Sequence, residues 1–179
     1  MVSEYTVGDM WKMLPQYSKE AKRLGAVIKD VYSAQTLYVQ QGLNMNDAMD
    51  LGVETLKMAR VAGIGAEEAT NSMTAALRGF NMELNESSAV RINDVYSKLA
   101  QNTASNVQEI STAMTKTAAL ANSANMSFEN TAAFLATIIE STREGAETAG
   151  TALKTVIARF TEVKKLYDEG ELTGTDEEG

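Results

Sequence analysis

Two features of this 179-residue chain could carry chemistry: a glycine-spaced segment, Gly145-Ala-Glu-Thr-Ala-Gly150-Thr151, and a scatter of 24 Asp and Glu residues. The glycine spacing is that of a phosphate loop, but the lysine that must reach the β- and γ-phosphates is missing and no strand pattern precedes it. A helix start with close packing at Gly150 is the stronger reading. General acid work needs carboxylates buried together with a raised pKa, and no pair here has a spacing that calls for it. Glu67 and Glu68 read as partners of a helix dipole. The chain has no histidine and no cysteine, which removes disulfides, thiolate nucleophiles, His general bases and the zinc sites that use those ligands. Sequence alone assigns no catalytic, cofactor-binding or metal-binding residue, and no cofactor. Of the ten methionines, Met49, Met73 and Met114 lie at core spacing, so they read as core filling and not as a promiscuous groove. Asn85-Glu-Ser87 and Asn125-Met-Ser127 match the glycosylation acceptor pattern but stand where helix caps are expected.

The elements that would position these residues are all helical. One proline and recurrent Ala, Leu, Met, Glu, Lys and Gln leave long stretches without strong breakers. Leu24, Ile28, Val31 and Tyr38 predict a helix over about 16–41, stopping at Gly42. Asn44 caps a second, with Asp47 three residues on and Met49, Val53, Leu56 and Ala59 inward, ending at Gly63. A third, over about 66–80, buries Ala69, Met73, Ala76, Leu77 and Phe80. Asn85 opens a fourth with Ala89, Ile92, Tyr96 and Leu99 on its stripe. Between 101 and 128 only Glu109 and Lys116 are charged, and a helix rich in small residues carries Val107, Ile110, Met114, Ala118 and Ala121 inward. Ser127 caps the next, with Phe128, Ala132, Leu135 and Ile139 inward and Phe134 and Ile138 widening its apolar face. After Gly145 a final long helix places Ala149, Leu153, Val156, Ile157, Phe160 and Val163 on one side. The expected fold is therefore all-α: about seven amphipathic helices in antiparallel hairpins.

Formal net charge is −8, and its placement is uneven. Residues 168–179 carry six acids and no base, leaving 18 acids against 16 bases in the rest, so the expected organisation ends in an acidic flexible tail over 167–179. No clustered Lys/Arg with interleaved aromatics appears, which argues against sequence-specific nucleic-acid recognition. The longest apolar run, near 132–139, is far short of the roughly 20 residues a membrane span needs. The first residues have neither the basic start nor the apolar core of a secretion signal.

The chain also matches itself at a shift of 62. Asn44 falls on Asn106, Thr55 on Thr117, Ala59 on Ala121 and Glu67 on Glu129, and the connector Ala62-Gly-Ile-Gly-Ala-Glu67 falls on Ala124-Asn-Met-Ser-Phe-Glu129. Ile64 and Met126 would then fill equivalent slots. This predicts an N-terminal helical segment, 1–43, followed by a core, 44–166, with two related three-helix units over 44–103 and 106–166.

The wording of the sequence goes further than its periodicity. Met58-Ala-Arg-Val-Ala-Gly-Ile-Gly-Ala-Glu-Glu-Ala-Thr70, followed by Thr74-Ala-Ala-Leu-Arg-Gly-Phe-Asn81, resembles the core region of phage tail tape measure proteins. Val107-Gln-Glu-Ile-Ser-Thr-Ala-Met114, Phe128-Glu-Asn-Thr-Ala-Ala-Phe-Leu135 and Ala149-Gly-Thr-Ala-Leu-Lys154 continue the resemblance in the same order, over about 41–160. It implies a structural virion protein of a long-tailed phage or prophage: a tape measure that scaffolds tail-tube assembly, sets tail length and takes part in genome ejection. The implied partners are tail-tube, distal-tail or tail-tip proteins and assembly chaperones. The implied locations are the host bacterial cytoplasm during synthesis and then the virion tail. The family supplies no catalytic residue. Even a wholly helical chain of this length would span only roughly 270 Å at about 1.5 Å per residue, so the chain is expected to be a fragment of a longer ruler. Together with the small-residue face at 113–124, the resemblance also predicts self-association as a trimer or hexamer. The competing reading is a helical protein-binding adaptor or secreted effector outside any virion; an enzyme is the weakest.

Overall fold

The computed structural model describes residues 7–169, which form eight α-helices and no strand: α1 (Val7–Leu24), α2 (Ile28–Gln40), α3 (Met45–Ala62), α4 (Ala66–Gly79), α5 (Glu86–Asn102), α6 (Val107–Ser123), α7 (Phe128–Thr142) and α8 (Ala146–Asp168). The expected leaderless start and all but the first residues of the acidic tail lie outside the described residues. Tyr167 and Asp168, placed in that tail by composition, complete the last turn of α8.

One local device makes most of the corners. A left-handed residue closes the helix, the next N–H bonds a carbonyl five residues back, and the following residue opens the next helix. This occurs at Gly25, Gly42, Gly63 and Asn125, with φ of 62°, 101°, 71° and 59°. The closing bonds run from Ala26 to Ala21 O at 2.9 Å, Leu43 to Tyr38 O at 3.2 Å, Ile64 to Ala59 O at 3.0 Å and Met126 to Ala121 O at 2.9 Å. Each satisfies carbonyls that a helix end leaves orphaned, and the residue after the left-handed one is apolar and turns back toward the body. Gly63 and Asn125 are 62 residues apart, and Ile64 and Met126 both pack against the main core.

The helix expected over 16–41 is broken by the first of these corners. Gly25 takes the left-handed conformation, and α2 starts from Val27, which offers no side-chain cap. The apolar spacing runs across the break without a change of phase, so periodicity alone could not show it. Ile28, expected inward, is exposed for the same reason: it stands at the mouth of the new helix. Upstream, α1 begins at Val7 and carries Pro15 inside it. Pro15 lacks the N–H that would bond the Trp11 carbonyl, and both residues are exposed.

Asn44, Asn85, Asn106 and Ser127 cap the N-termini of α3, α5, α6 and α7, and at α6 Asn106 and Glu109 form a reciprocal capping box. Asn125, expected as a cap, instead takes the left-handed position two residues before Ser127.

Two helices are buried on several sides. Helix α3 divides a small core, built from Tyr17, Ala21, Val31, Ala34, Met49, Val53 and Leu56, from a larger one that reaches α8. Helix α6 lies at the centre of the larger core, packed on α4, α5, α7 and α8. Its small residues permit this. A Cβ on Gly79 would stand 2.4 Å from the Ala118 Cβ, and one on Gly150 would stand 2.4 Å from the Ala113 carbonyl oxygen. Ala113, Ala118 and Ala121 are thus buried inside the protomer, so the small-residue face that suggested self-association is already occupied. Phe80, Tyr96 and Phe128 join α4, α5 and α7 through ring contacts of 5.5–5.6 Å between centroids.

Candidate functional site

Each chemistry-bearing feature of the sequence finds a structural place. Gly145 is the N-cap of α8, and Gly150 sits one and a half turns in, its carbonyl accepting from Thr117 Oγ1 at 2.7 Å. At Gly150 the glycine serves helix packing, with the backbone turned against α6. Met49, Met73 and Met114 are core residues. Glu67 and Glu68 lie in the first turn of α4, exposed. Among the described residues the buried acid is Glu54, ion-paired with Lys57 on the next turn of α3, while its backbone carbonyl accepts from Asn93 Nδ2 at 2.9 Å. Among the described residues no group of three or more Asp or Glu is placed to hold a metal ion, and no helix is long and apolar enough to cross a membrane.

The buried polar groups join helices. Gln35 on α2 accepts from Tyr17 OH at 2.5 Å and donates from Nε2 to the Met45 carbonyl at 2.7 Å, tying α1, α2 and the start of α3 together. The Tyr38 hydroxyl meets Thr55 Oγ1 at 2.7 Å. Burial pushes the Tyr38 phenol up to about 12, partly offset by its hydroxyl partners, and raises Tyr96, whose OH has no hydrogen-bond partner, well above its ordinary value. A phenol so held is protonated at neutral pH and cannot act as a base.

What the molecule presents to the outside is an apolar groove. Helices α7 and α8 diverge from Gly145, and the α6–α7 corner closes one end, leaving a cavity of about 580 Å³. Phe134 and Ile138 form one wall, Val156, Phe160 and the buried Leu153 the other, and Met126 the floor near the corner. Lys164 is the charged residue on its rim. By sequence pattern Phe134 widens the apolar face of its helix, and Val156, Phe160 and Val163 share one side of the last helix with Ala149 and Leu153. The structure exposes all four, Phe160 by 73%. The three-four spacing was right, but the body ends before the stripe does: α8 has 23 residues, about 35 Å of helix, and α6 covers only its first half. Groups of large apolar residues left open in this way mark protein contact surfaces.

Residues 6–178 match the family described as phage-related minor tail protein. Over 124 residues, 69% of this chain, the sequence is 29% identical to the tape measure protein of Pneumococcus phage Dp-1, and the matched stretch is 10% of that relative's length. No solved structure matches.

Proposed function

Because the chain belongs to the phage-related minor tail protein family, a structural component of phage tails, we propose that it is part of a tape measure: a protein that scaffolds polymerisation of the tail tube, sets its length and leaves through it at genome ejection. The observation that supports this most directly is the likeness to a relative named as a tape measure protein, about ten times longer than the matched stretch. A ruler needs reach, and a chain folded back into eight short helices has little. The described residues are therefore an assembly or tip-proximal module of the parent protein, and the measuring rod lies elsewhere in it. Its partners in this reading are tail-tube subunits, distal-tail or tail-tip proteins and assembly chaperones. It performs no catalysis, is made in the host cytoplasm and ends in the virion tail. Any three-fold or six-fold assembly must use a surface other than the inner face of α6.

The test is tail length by electron microscopy after inserting a helical segment in frame beyond the codon for Gly179 in the parent gene. A gain of about 1.5 Å per inserted residue is the expected result. Tails of unchanged length would overturn the ruler role.

A further inference from the structure

The open half of α8 has a more specific pattern than exposed apolar residues. Ala149, Leu153, Val156, Phe160, Val163 and Tyr167 follow one another at spacings of four, three, four, three and four. This is the a/d pattern of a helix that packs along another helix. The body covers Ala149 and Leu153, while Val156, Phe160, Val163 and Tyr167 continue the seam uncovered. With Leu153, Phe160 and Tyr167 at a, Arg159 falls at g and Lys164 at e, flanking the seam on either side.

Those two charges decide what fits. Two copies packed parallel along this seam would set Arg159 against Lys164 of the other copy. Packed antiparallel, one register would set Arg159 against Arg159 and another would set Lys164 against Lys164. No pairing of the two copies along α8 sets an acid across the seam from either cation. Residues 170–179 of the chain itself supply acids but one large apolar residue, Leu172, too few for a seam of this length. Arg159 does hold Glu162 at 3.0 Å, but both side chains are largely exposed, and an ion pair of that kind is weak and readily exchanged.

We infer that the groove between α7 and α8 and the seam that prolongs it dock an amphipathic helix of a different protein, one with apolar residues on its inner face and Glu or Asp on its flanks. The incoming helix lays large side chains between Phe134 and Phe160, in the manner of helix-in-groove recognition, and its acids meet Lys164 and Arg159. The inference does not depend on the ruler role.

The probes are two synthetic helical peptides of about three heptads with Leu at a and d, one with Glu at e and g, the other with Lys. Each is titrated into the full 179-residue chain at low and at high salt. The Glu-flanked peptide is expected to bind at least about tenfold more tightly than the Lys-flanked one at low salt, with the gap shrinking as salt rises. Phe160→Glu should weaken binding about tenfold or more while leaving the circular dichroism spectrum and melting temperature unchanged, since Phe160 supports nothing in the body. Arg159→Glu with Lys164→Glu should invert the preference between peptides, a readout that general stickiness does not produce. Equal binding of both peptides, or binding of neither, overturns the inference. So does light scattering that shows a dimer of the unmodified chain abolished by Phe160→Glu, because the occupant is then a second copy.

Discussion

The two halves of α8 have the same apolar spacing and opposite surroundings. In the first, Ala149, Gly150, Leu153 and Ile157 are buried against α6 so closely that no side-chain atom fits at position 150. In the second, Phe160, Val163 and Tyr167 face water, as Val156 already does at the boundary. A helix's stripe is a property of its own sequence, but burial is a property of what lies opposite. The difference between the halves is the length of α6, which ends at Ser123 and turns away.

The largest effect should come from breaking the tight half. Gly150→Val places atoms where the Ala113 carbonyl stands and disturbs the hydrogen bond from Thr117. The helices must separate, at a cost of about 3 kcal/mol. For a domain of this size that lowers the melting temperature by about 10 °C in a circular dichroism melt. An unchanged melt would mean that α6 and α8 do not make this contact.

Next in size is the pair that contrasts the halves directly. Leu153→Ala should cost about 2–3 kcal/mol, because it empties a place in the core. Phe160→Ala should stay within about 0.5 kcal/mol despite removing the larger side chain. Denaturant midpoints for the two would show whether the boundary between tight and open halves falls where burial places it.

That boundary is also where reading the sequence stopped working. Helix class, the caps at Asn44, Asn85 and Ser127, and core residues such as Ile92, Tyr96, Ile110 and Met114 were legible because each rests on contacts within a few residues or on a stripe covered along its whole length. The break at Gly25 was not, since Ala26 and Val27 are neither a strong apolar plug nor a capping pair, and the spacing of Leu24, Ile28 and Val31 runs through it. The groove was not legible either. Phe134 and Phe160 have the sequence signature of core residues, and only the path of α6 tells that nothing covers them. Close packing at Gly150 was legible because its motif lacks the lysine that a phosphate site demands, which left helix packing as the use of the glycine.

Alkaline pH should probe the core without touching the open half. The Tyr38 phenol is raised from 10.0 to about 12 in the folded chain, and Tyr96 is raised as well. Between pH 10 and about 12 the unfolded chain releases protons that the folded chain keeps, so stability is complete below pH 10 and falls as pH rises through that window. The loss assigned to Tyr38 is on the order of 2–3 kcal/mol. Tyr38→Phe should flatten the dependence of melting temperature on pH, whereas Phe160→Ala should leave it alone. Tyr96→Phe should do the same as Tyr38→Phe without loss of stability at neutral pH, since the hydroxyl it removes has no partner.

The smallest effect concerns the corner from which the open half springs. Helix α7 ends at Arg143, left-handed with φ of 57°, its N–H on the Ile139 carbonyl at 3.0 Å. A long side chain in that conformation costs about 1–2 kcal/mol. Glycine removes the strain but adds freedom to the unfolded chain, which returns roughly 0.5–1 kcal/mol of the gain. Arg143→Gly should therefore stabilise by about 0.5 kcal/mol. At Asn125, equally left-handed with φ of 59°, the same replacement should gain next to nothing, because asparagine bonds locally and tolerates that conformation. If the two substitutions gained equally, the strain at Arg143 would be no greater than at an asparagine, and the corner leading into α8 would be as relaxed as the one leading into α7.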